Sequence, residues 1–282
     1  MINANYSSLL SELFHLVRFR FKRPQIQLKT GMLIISIDVD VGNRELGVIN
    51  KGKNDKYVHR FLSEYQVGKI EETALPLFLN LFEDQNVPAT FAVRGQMIEV
   101  ANSFFHQLLE SPIRHDIGSH GYSHRLFEDM SPEEAENELE KLSDGFKRFG
   151  IIPKSFIFPR NSVDHLDLIE DYGYKCYRSD GDFRNDCMYI EKQGNLYDVH
   201  PSLYIGNCTQ SIFLKKLLDI AILRKMPFHI WFHLWNFGIT KDSIQQRINS
   251  AILPFLEYAT NKTHEQILTI ETMFSAILKY KS

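Results

Sequence analysis

The chain has 282 residues, of which 44% are hydrophobic and 24% are charged, and its net charge is −3. These values are typical of a soluble globular enzyme, and the small negative charge argues against a general affinity for nucleic acid. Three cysteines without a Cys-x-x-Cys pair do not indicate a disulfide framework. The sequence shows neither an apolar run long enough to span a membrane nor the pattern of a secretory signal peptide, so we expect a cytoplasmic protein.

Residues 7–23 have the pattern of a basic amphipathic helix, with leucines on one side and a cluster of arginines and lysine after them. Such a helix either packs on the outside of a domain or lies on an anionic membrane surface. We therefore predict an N-terminal helical segment over residues 1–29, with peripheral membrane contact as one of its two interpretations, and a single domain over residues 30–282.

Predicted strands and helices alternate along the rest of the chain. In chain order they are a strand over 31–40, a helix over 70–86, a strand over 87–93, a helix over 97–111, a short strand from 115, a helix over 131–150, a strand over 155–160, a helix over 164–173, a strand over 175–180, a helix over 211–226, a strand over 227–233, a helix over 243–260, a strand over 265–270 and a helix over 271–281. Residues 42–60 show no periodicity and are predicted to be a loop. The alternation predicts a parallel sheet or barrel of βα units.

The helix over 131–150 has the clearest boundaries. Ser131 is a good N-cap, Pro132 occupies the first helical position, Glu134 completes a capping box and Gly150 stands where a helix stops.

Two aspartates end the first predicted strand. Asp38 and Asp40 are two residues apart, so alternation places both carboxylates on one face. Carboxylates placed this close repel each other unless a cation or a proton lies between them. Aspartates are also common as loop caps at strand ends. The pair alone therefore does not decide between a catalytic role and a capping role.

The stretch Ser-His-Gly-Tyr-Ser-His places His120 and His124 four residues apart after a short predicted strand. Two histidines and one carboxylate are a frequent ligand set for a catalytic divalent metal. An isolated pair with this spacing is weak evidence, because helices produce it by chance. Here a strand and a carboxylate precede the pair, Gly121 allows the backbone to turn, and Asp38 and Asp40 lie upstream, so the residues together favour a metal site.

Four stretches, in this order, resemble successive motifs of the polysaccharide deacetylase family, the NodB-homology carbohydrate esterases. They are SIDVD at 36–40, DIGSHGYSH at 116–124, FIFPRN at 156–161 and IWFHLWNFG at 230–238. The resemblance extends over roughly residues 30–272 and implies an α/β fold, a distorted (β/α) barrel of about seven strands in a single domain. It also implies removal of N- or O-acetyl groups from sugars with the help of one divalent metal ion.

The resemblance assigns a role to each matching residue. Asp38 matches the general base and His233 the general acid. The metal ligands are implied to be Asp40, His120 and His124. Zinc suits two histidines and one carboxylate best, although cobalt, nickel, manganese and iron also fit. His229 is interpreted as a core histidine and His200 as a loop histidine.

The sequence departs from the family pattern in two motifs. Val39 separates the aspartates of the first motif, which are usually adjacent. In the third motif the family usually has Arg two residues before the proline and Gly two residues after it, where this chain has Ile157 and Asn161. Arg160 is therefore a candidate to supply the missing charge by orienting Asp38 or by contacting substrate. Its alternative is an arginine on the surface beside a turn.

Further residues are candidates for substrate binding or orientation. We expect Arg160, Asn161 and Trp235 to contact the substrate, and Asp180 is a weak match to the fourth motif, with a turn residue as its alternative.

The expected function is removal of acetyl groups from N-acetylated sugars of a surface glycan or its precursor. Two alternatives are an amide hydrolase of the allantoinase-like type that acts on a small molecule, and a glycan-binding protein without catalysis. The sequence does not indicate the oligomeric state.

Overall fold

The computed structural model describes residues 28–40, 70–100, 103–179, 188–206, 209–238 and 240–281. The helix predicted over 7–23, the loop predicted over 42–60 and Asp180 lie outside these ranges, as does the side chain of Trp235. Among the helices within them, none combines the length and the apolar character that crossing a bilayer requires.

A single sheet organises the described part of the chain. Its strands are β1 (Gly31–Val39), β2 (Thr90–Val93), β3 (Asp116–Ser119), β4 (Ser155–Ile157), β5 (Cys176–Arg178), β6 (Ile190–Gln193), β7 (Leu196–Val199), β8 (Leu203–Tyr204), β9 (Pro227–His233) and β10 (Leu268–Glu271). Their order is β6-β7-β5-β4-β3-β2-β1-β9-β8, and β10 pairs with the first half of β1. The recorded pairs are parallel except for the hairpin of β6 and β7.

Helices connect most of the parallel strands. They are α1 (Leu75–Asp84), α2 (Gly95–Val100), α3 (Ser103–Glu110), α4 (Pro132–Lys147), α5 (Leu166–Asp171), α6 (Ser211–Arg224), α7 (Lys241–Arg247), α8 (Leu253–His264) and α9 (Met273–Lys281). Strand–helix alternation with a curled parallel sheet is the distorted (β/α) barrel that the sequence predicts.

The first strand is buried along its whole length and divides the core into two parts. Leu33, Ile35 and Ile37 face the helices outside the sheet. The other face carries Met32 and Ile34, which pack with residues of α9 at the amino-terminal ends of the strands. Because side chains alternate along a strand, Ser36 and Asp38 continue this inner face toward the carboxyl ends.

Several predicted boundaries are confirmed, and some elements differ. Ser131 and Glu134 form the predicted capping box at the start of α4. The helices predicted over 70–86 and 243–260 each contain a π-helical turn, at Ile70–Ala74 and Ile248–Ile252. Pro76 and Pro254 occupy the first turn of the α-helix that follows each of them. Of the helix predicted over 97–111, the structure describes α2 and α3, and residues 101 and 102 between them lie outside the described ranges. The strands β6, β7 and β8 were not predicted from the sequence.

Candidate active site

The carboxyl ends of three strands bring the predicted site residues to one edge of the sheet. Asp38 ends β1, and its register partner on β9 is His233. His120 follows β3 directly, one strand beyond β2. In a βα barrel, side chains at this edge converge on a common space.

Asp40, His120 and His124 form a compact donor set. One ligand atom from each lies within 4.8 Å of the others, and no other such group of three occurs within the part of the chain that the structure describes. The rings of His120 and His124 are 4.8 Å apart, and Asp40 Oδ2 is 3.3 Å from His124 Nε2. The predicted turn therefore brings both imidazoles to one carboxylate.

The tautomer of His120 suits metal binding. Its Nδ1 donates a hydrogen bond of 2.9 Å to the backbone oxygen of Ile157, which leaves Nε2 with a lone pair. This Nε2 is buried and has no hydrogen-bond partner. Burial lowers the pKa of both His120 and His124, which keeps the rings neutral. Two neutral imidazoles and a carboxylate fit a divalent metal of the zinc type.

Gly121 fits its position for two reasons. Its φ angle is +65°, a conformation that disfavours side chains, and a Cβ at this residue would lie 2.9 Å from Cγ of Pro159. His124 also has a positive φ of 65°. The loop that carries both histidines is therefore folded tightly against the end of β4.

Glu138 of α4 anchors the same loop from behind. Its carboxylate accepts hydrogen bonds from the backbone nitrogens of Tyr122 and Ser123, at 3.2 and 2.9 Å, and from the hydroxyl of Ser123. Arg94 lies nearby in full burial. Burial lowers its pKa to about 10, although the charges of Asp40 and Glu138 oppose this shift. Neither Glu138 nor Arg94 was among the residues singled out from the sequence.

Asp38 is buried and pairs with Arg178 of β5. Arg178 Nη1 and Nη2 each donate to one carboxylate oxygen of Asp38 at 2.7 Å. Burial alone would raise the pKa of Asp38, but the charge of Arg178, with smaller contributions from His120 and His233, lowers it to about 2. Asp38 is therefore ionised at neutral pH. The orienting contact that Arg160 was considered for is made by Arg178.

A chain of hydrogen bonds holds Arg178 in place. His229 Nδ1 donates to the oxygen of Val199 at 3.1 Å, so its Nε2 accepts from Ser36 Oγ at 2.8 Å. Ser36 Oγ in turn accepts from Arg178 Nη1 at 3.0 Å. The guanidinium also lies over the ring of Trp231, 4.2 Å from its centroid. His229, which the sequence analysis interprets as a core histidine, is buried and belongs to this series of hydrogen bonds.

His233 ends β9 and lies beside Asp38 of β1. Its Nε2 is 3.7 Å from Asp38 Oδ2. Both its backbone nitrogen and its Nδ1 donate to Oδ1 of Asn236, at 2.8 and 3.3 Å. These contacts fix the ring with Nε2 facing the site, which is the orientation that a general acid needs.

The residues expected to contact substrate are less tightly placed. Arg160 is exposed, with a positive φ of 52°, and its charge acts on His124. Asn161 is half-buried in the same turn, with φ of 58°. Both follow β4 at the carboxyl edge of the sheet, and their role in substrate binding stays a prediction, as does that of Trp235.

Comparison with known proteins shows a similarity to one family. Residues 63–177 match the family model described as polysaccharide deacetylase. This part of the chain is therefore similar to polysaccharide deacetylases. The matched range contains the histidine loop and β4, the two parts of the sequence that carry the central motifs.

A curated protein shows a similar resemblance. A peptidoglycan deacetylase of Helicobacter pylori (strain ATCC 700392 / 26695) is 27% identical over 150 residues, which cover 52% of this chain and 48% of the relative. The match thus spans about half the length of the curated relative.

Solved structures of deacetylases and of one related hydrolase share the fold. PuuE allantoinase is 16% identical with a TM-score of 0.64, over 88% of this chain and 89% of its own. A protein of Pseudomonas aeruginosa PAO1 assigned as a polysaccharide deacetylase is 14% identical with a TM-score of 0.60, over 82% and 85%. A protein of Mycobacterium smegmatis with the same assignment is 14% identical with a TM-score of 0.57, over 89% and 97%. At these identities the likeness establishes the barrel fold alone.

Proposed function

We propose that this protein is a metal-dependent hydrolase that removes acetyl groups from N-acetylated sugars of a surface glycan or its precursor. The observation that carries the proposal is the donor set of Asp40, His120 and His124 beside an ionised, buried Asp38. Together with His233, these groups match the two needs of amide hydrolysis, a base and an acid within reach of one site.

Asp40, His120 and His124 would hold the metal ion. A divalent ion bound there supplies Lewis-acid polarisation of the acetyl oxygen and makes a bound water more acidic. This second effect matters here, because a carboxylate with a pKa of about 2 is a weak base toward ordinary water.

Asp38 accepts the proton of the attacking water. Arg178 occupies one hydrogen-bonding direction of each carboxylate oxygen and leaves Oδ2 close to both His120 and His233. The ion pair keeps the carboxylate ionised and fixes its plane, so the base does not have to be oriented during the reaction.

His233 would deliver a proton to the leaving nitrogen. Asn236 accepts the Nδ1 hydrogen, so Nε2, which faces the site, is the nitrogen that transfers the proton when the ring is in its imidazolium form. The distance of 3.7 Å between this Nε2 and Asp38 Oδ2 places the acid and the base side by side. Hydrolysis of an amide needs such a pair, because the amine leaves only after it gains a proton.

The match to the polysaccharide deacetylase model and the similarity to a peptidoglycan deacetylase support the proposed sugar class. We further propose that the protein acts in the cytoplasm, where a glycan precursor rather than a finished polymer is the substrate. The basic segment at residues 7–23 supports a peripheral contact with the inner membrane surface, where a lipid-linked precursor would be available.

Acetate release tests the proposed activity. The purified protein is stripped of metal, reloaded separately with zinc, cobalt, nickel, manganese or iron, and incubated with N-acetylglucosamine oligomers and, separately, with allantoin. We expect acetate from the oligomers with at least one metal, and loss of more than about a hundredfold in rate for Asp38→Asn. Asp144→Asn, on the exposed face of α4, is the matched control and should retain the wild-type rate.

Two results would overturn the proposal. Turnover of allantoin without acetate release would replace it with hydrolysis of a small amide. Binding of the oligomers without turnover of either substrate would indicate a protein that binds glycans without catalysis.

A further inference from the structure

An aromatic pair borders the site beside His233. Tyr204 of β8 pairs in register with Trp231 of β9, and their ring centroids are 4.6 Å apart. The rings of Tyr204 and Trp231 lie 6.2 and 5.6 Å from that of His233. Trp231 already packs on the guanidinium of Arg178, whereas the half-buried Tyr204 has no role in the chemistry described above.

The hydrogen bonds around Asn236 determine whether the hydroxyl of Tyr204 accepts or donates a hydrogen bond toward Asn236. Oδ1 of Asn236 receives two N–H groups from His233. The amide nitrogen therefore faces away from His233 and donates to the phenol oxygen of Tyr204. Within the described residues the phenol hydrogen has no recorded acceptor, so it is available to a bound molecule.

The phenol also lies on the side of the site where the carboxylates are. Burial raises the pKa of Tyr204, and the negative charges of Asp38 and Asp40 raise it further. The group therefore remains a protonated hydrogen-bond donor at neutral pH. Its link through Asn236 to His233 places it next to the acid that serves the leaving nitrogen.

We propose that Tyr204 is a sugar-binding residue whose hydroxyl donates a hydrogen bond to an oxygen of the sugar unit that carries the departing nitrogen. This inference rests on the proposed function, because it takes His233 as the acid for that nitrogen. The strand β8 carries none of the four motifs that resemble the family. By this inference it contributes to recognition of the sugar and not of the acetyl group.

Tyr204→Phe tests the inference, because it removes the hydroxyl and keeps the ring that packs on Trp231. Loss of one hydrogen bond between neutral groups should raise KM for an N-acetylated sugar oligomer by about threefold to tenfold and change kcat by less than about twofold. Tyr258→Phe is the matched control, because it removes a tyrosine hydroxyl bonded to Asp219 on the outer helices. It should leave both constants unchanged.

A binding measurement separates this inference from the proposed function. Calorimetry of an N-acetylated oligomer with Asp38→Asn and with the double variant Asp38→Asn, Tyr204→Phe reports affinity without turnover. A Kd raised about threefold to tenfold in the double variant supports the inference even if the wild type releases no acetate.

Two outcomes contradict the inference. An unchanged KM and Kd in a protein that releases acetate would show that the hydroxyl does not contact the sugar. A fall in kcat with constant KM would place Tyr204 at the reacting carbonyl instead. Thermal unfolding midpoints of the two tyrosine variants close to that of the wild type exclude a loss of folding as the cause.

Discussion

Arg178 and Ile157 are register partners on adjacent strands, and Ile157 stands where the family pattern usually has the arginine of its third motif. The positive charge that pairs with Asp38 thus comes from β5 instead of β4, at the same level of the barrel. The ion pair is almost completely buried, with side-chain exposures of 1% and 3%. The altered third motif therefore does not leave Asp38 without a cation.

Removal of this arginine should change the pH dependence of catalysis. In Arg178→Met the burial of Asp38 is no longer opposed by the nearest charge, so its pKa rises above the wild-type value of about 2. We expect the acid limb of the kcat/KM profile to move to higher pH and the neutral rate to fall at least about tenfold. Arg148→Met, an exposed arginine near Glu99, is the control. An acid limb that does not move would contradict the role of the ion pair.

Loss of a histidine ligand should abolish metal binding. We expect about one metal ion per chain in the reconstituted wild type, and His120→Ala to reduce the affinity at least about a hundredfold, since the remaining carboxylate and imidazole form an incomplete set. Elemental analysis after dialysis gives the metal content. His106→Ala, an exposed histidine on α3, should bind as the wild type does. Retention of metal by His120→Ala would move the site elsewhere.

Alanine substitution should have opposite effects on the free energy of unfolding at Gly121, in the histidine loop, and at Gly145, in α4. Gly121→Ala introduces a Cβ at a φ of +65° and 2.9 Å from Pro159, so it should destabilise the fold by at least about 1 kcal/mol and weaken metal binding. Gly145→Ala meets no atom within 4 Å and lies inside a helix, so it should stabilise by about 0.5–1 kcal/mol. Urea denaturation measures both free energies. Equal effects of the two substitutions would refute the argument from backbone conformation.

Glu138 should support the metal ligands without touching the metal. Glu138→Gln places an amide where the carboxylate now accepts three hydrogen bonds, so one donor of the loop loses its acceptor. Supporting groups of this kind typically change metal affinity about 10–100-fold. Competition with a chelator of known affinity measures the change, and Glu140→Gln on the exposed face of α4 serves as the control. Equal affinities in the two variants would show that the loop holds its shape by other contacts.

His229 should make the fold sensitive to acid. Burial, the largest cause, lowers its pKa to about 3, so the folded protein does not take up the proton that the unfolded chain takes up below about pH 6.5. The contribution of neutral, buried His229 to the free energy of unfolding is complete above about pH 6.5 and is lost as the pH falls toward 3. Between about pH 6.5 and pH 4 the loss is about 3 kcal/mol. His229→Gln should show a smaller loss in urea denaturation over this range, and an identical loss would disprove this account.

The parts of the structure that the sequence predicts are those set by local patterns. The apolar run of β1 and the capping box of α4 each depend on a few neighbouring residues, and both are confirmed. The approach of Asp40 to His120 follows almost as directly, because parallel strands end at a common edge of the sheet.

The parts that were missed depend on pairing between distant segments. Arg178 reaches Asp38 because β5 lies beside β4 in a particular register, which spacing along the chain does not encode. Glu138 lies on a helix with other acidic residues and is distinguished only by its burial against the histidine loop. The hairpin of β6 and β7 escaped detection because β6 exposes Glu191, Lys192 and Gln193 in succession and lacks an alternating pattern.

The position of α9 restricts access to Asp38 along the inner face of the sheet. Met273, Ala276 and Ile277 pack with Met32 and Ile34 on the face of the sheet that carries Asp38. Among the described residues, these apolar side chains fill the inner face at the amino-terminal ends of the strands. A substrate of the proposed reaction would therefore approach Asp38 from the carboxyl edge, and its products would depart toward the same edge.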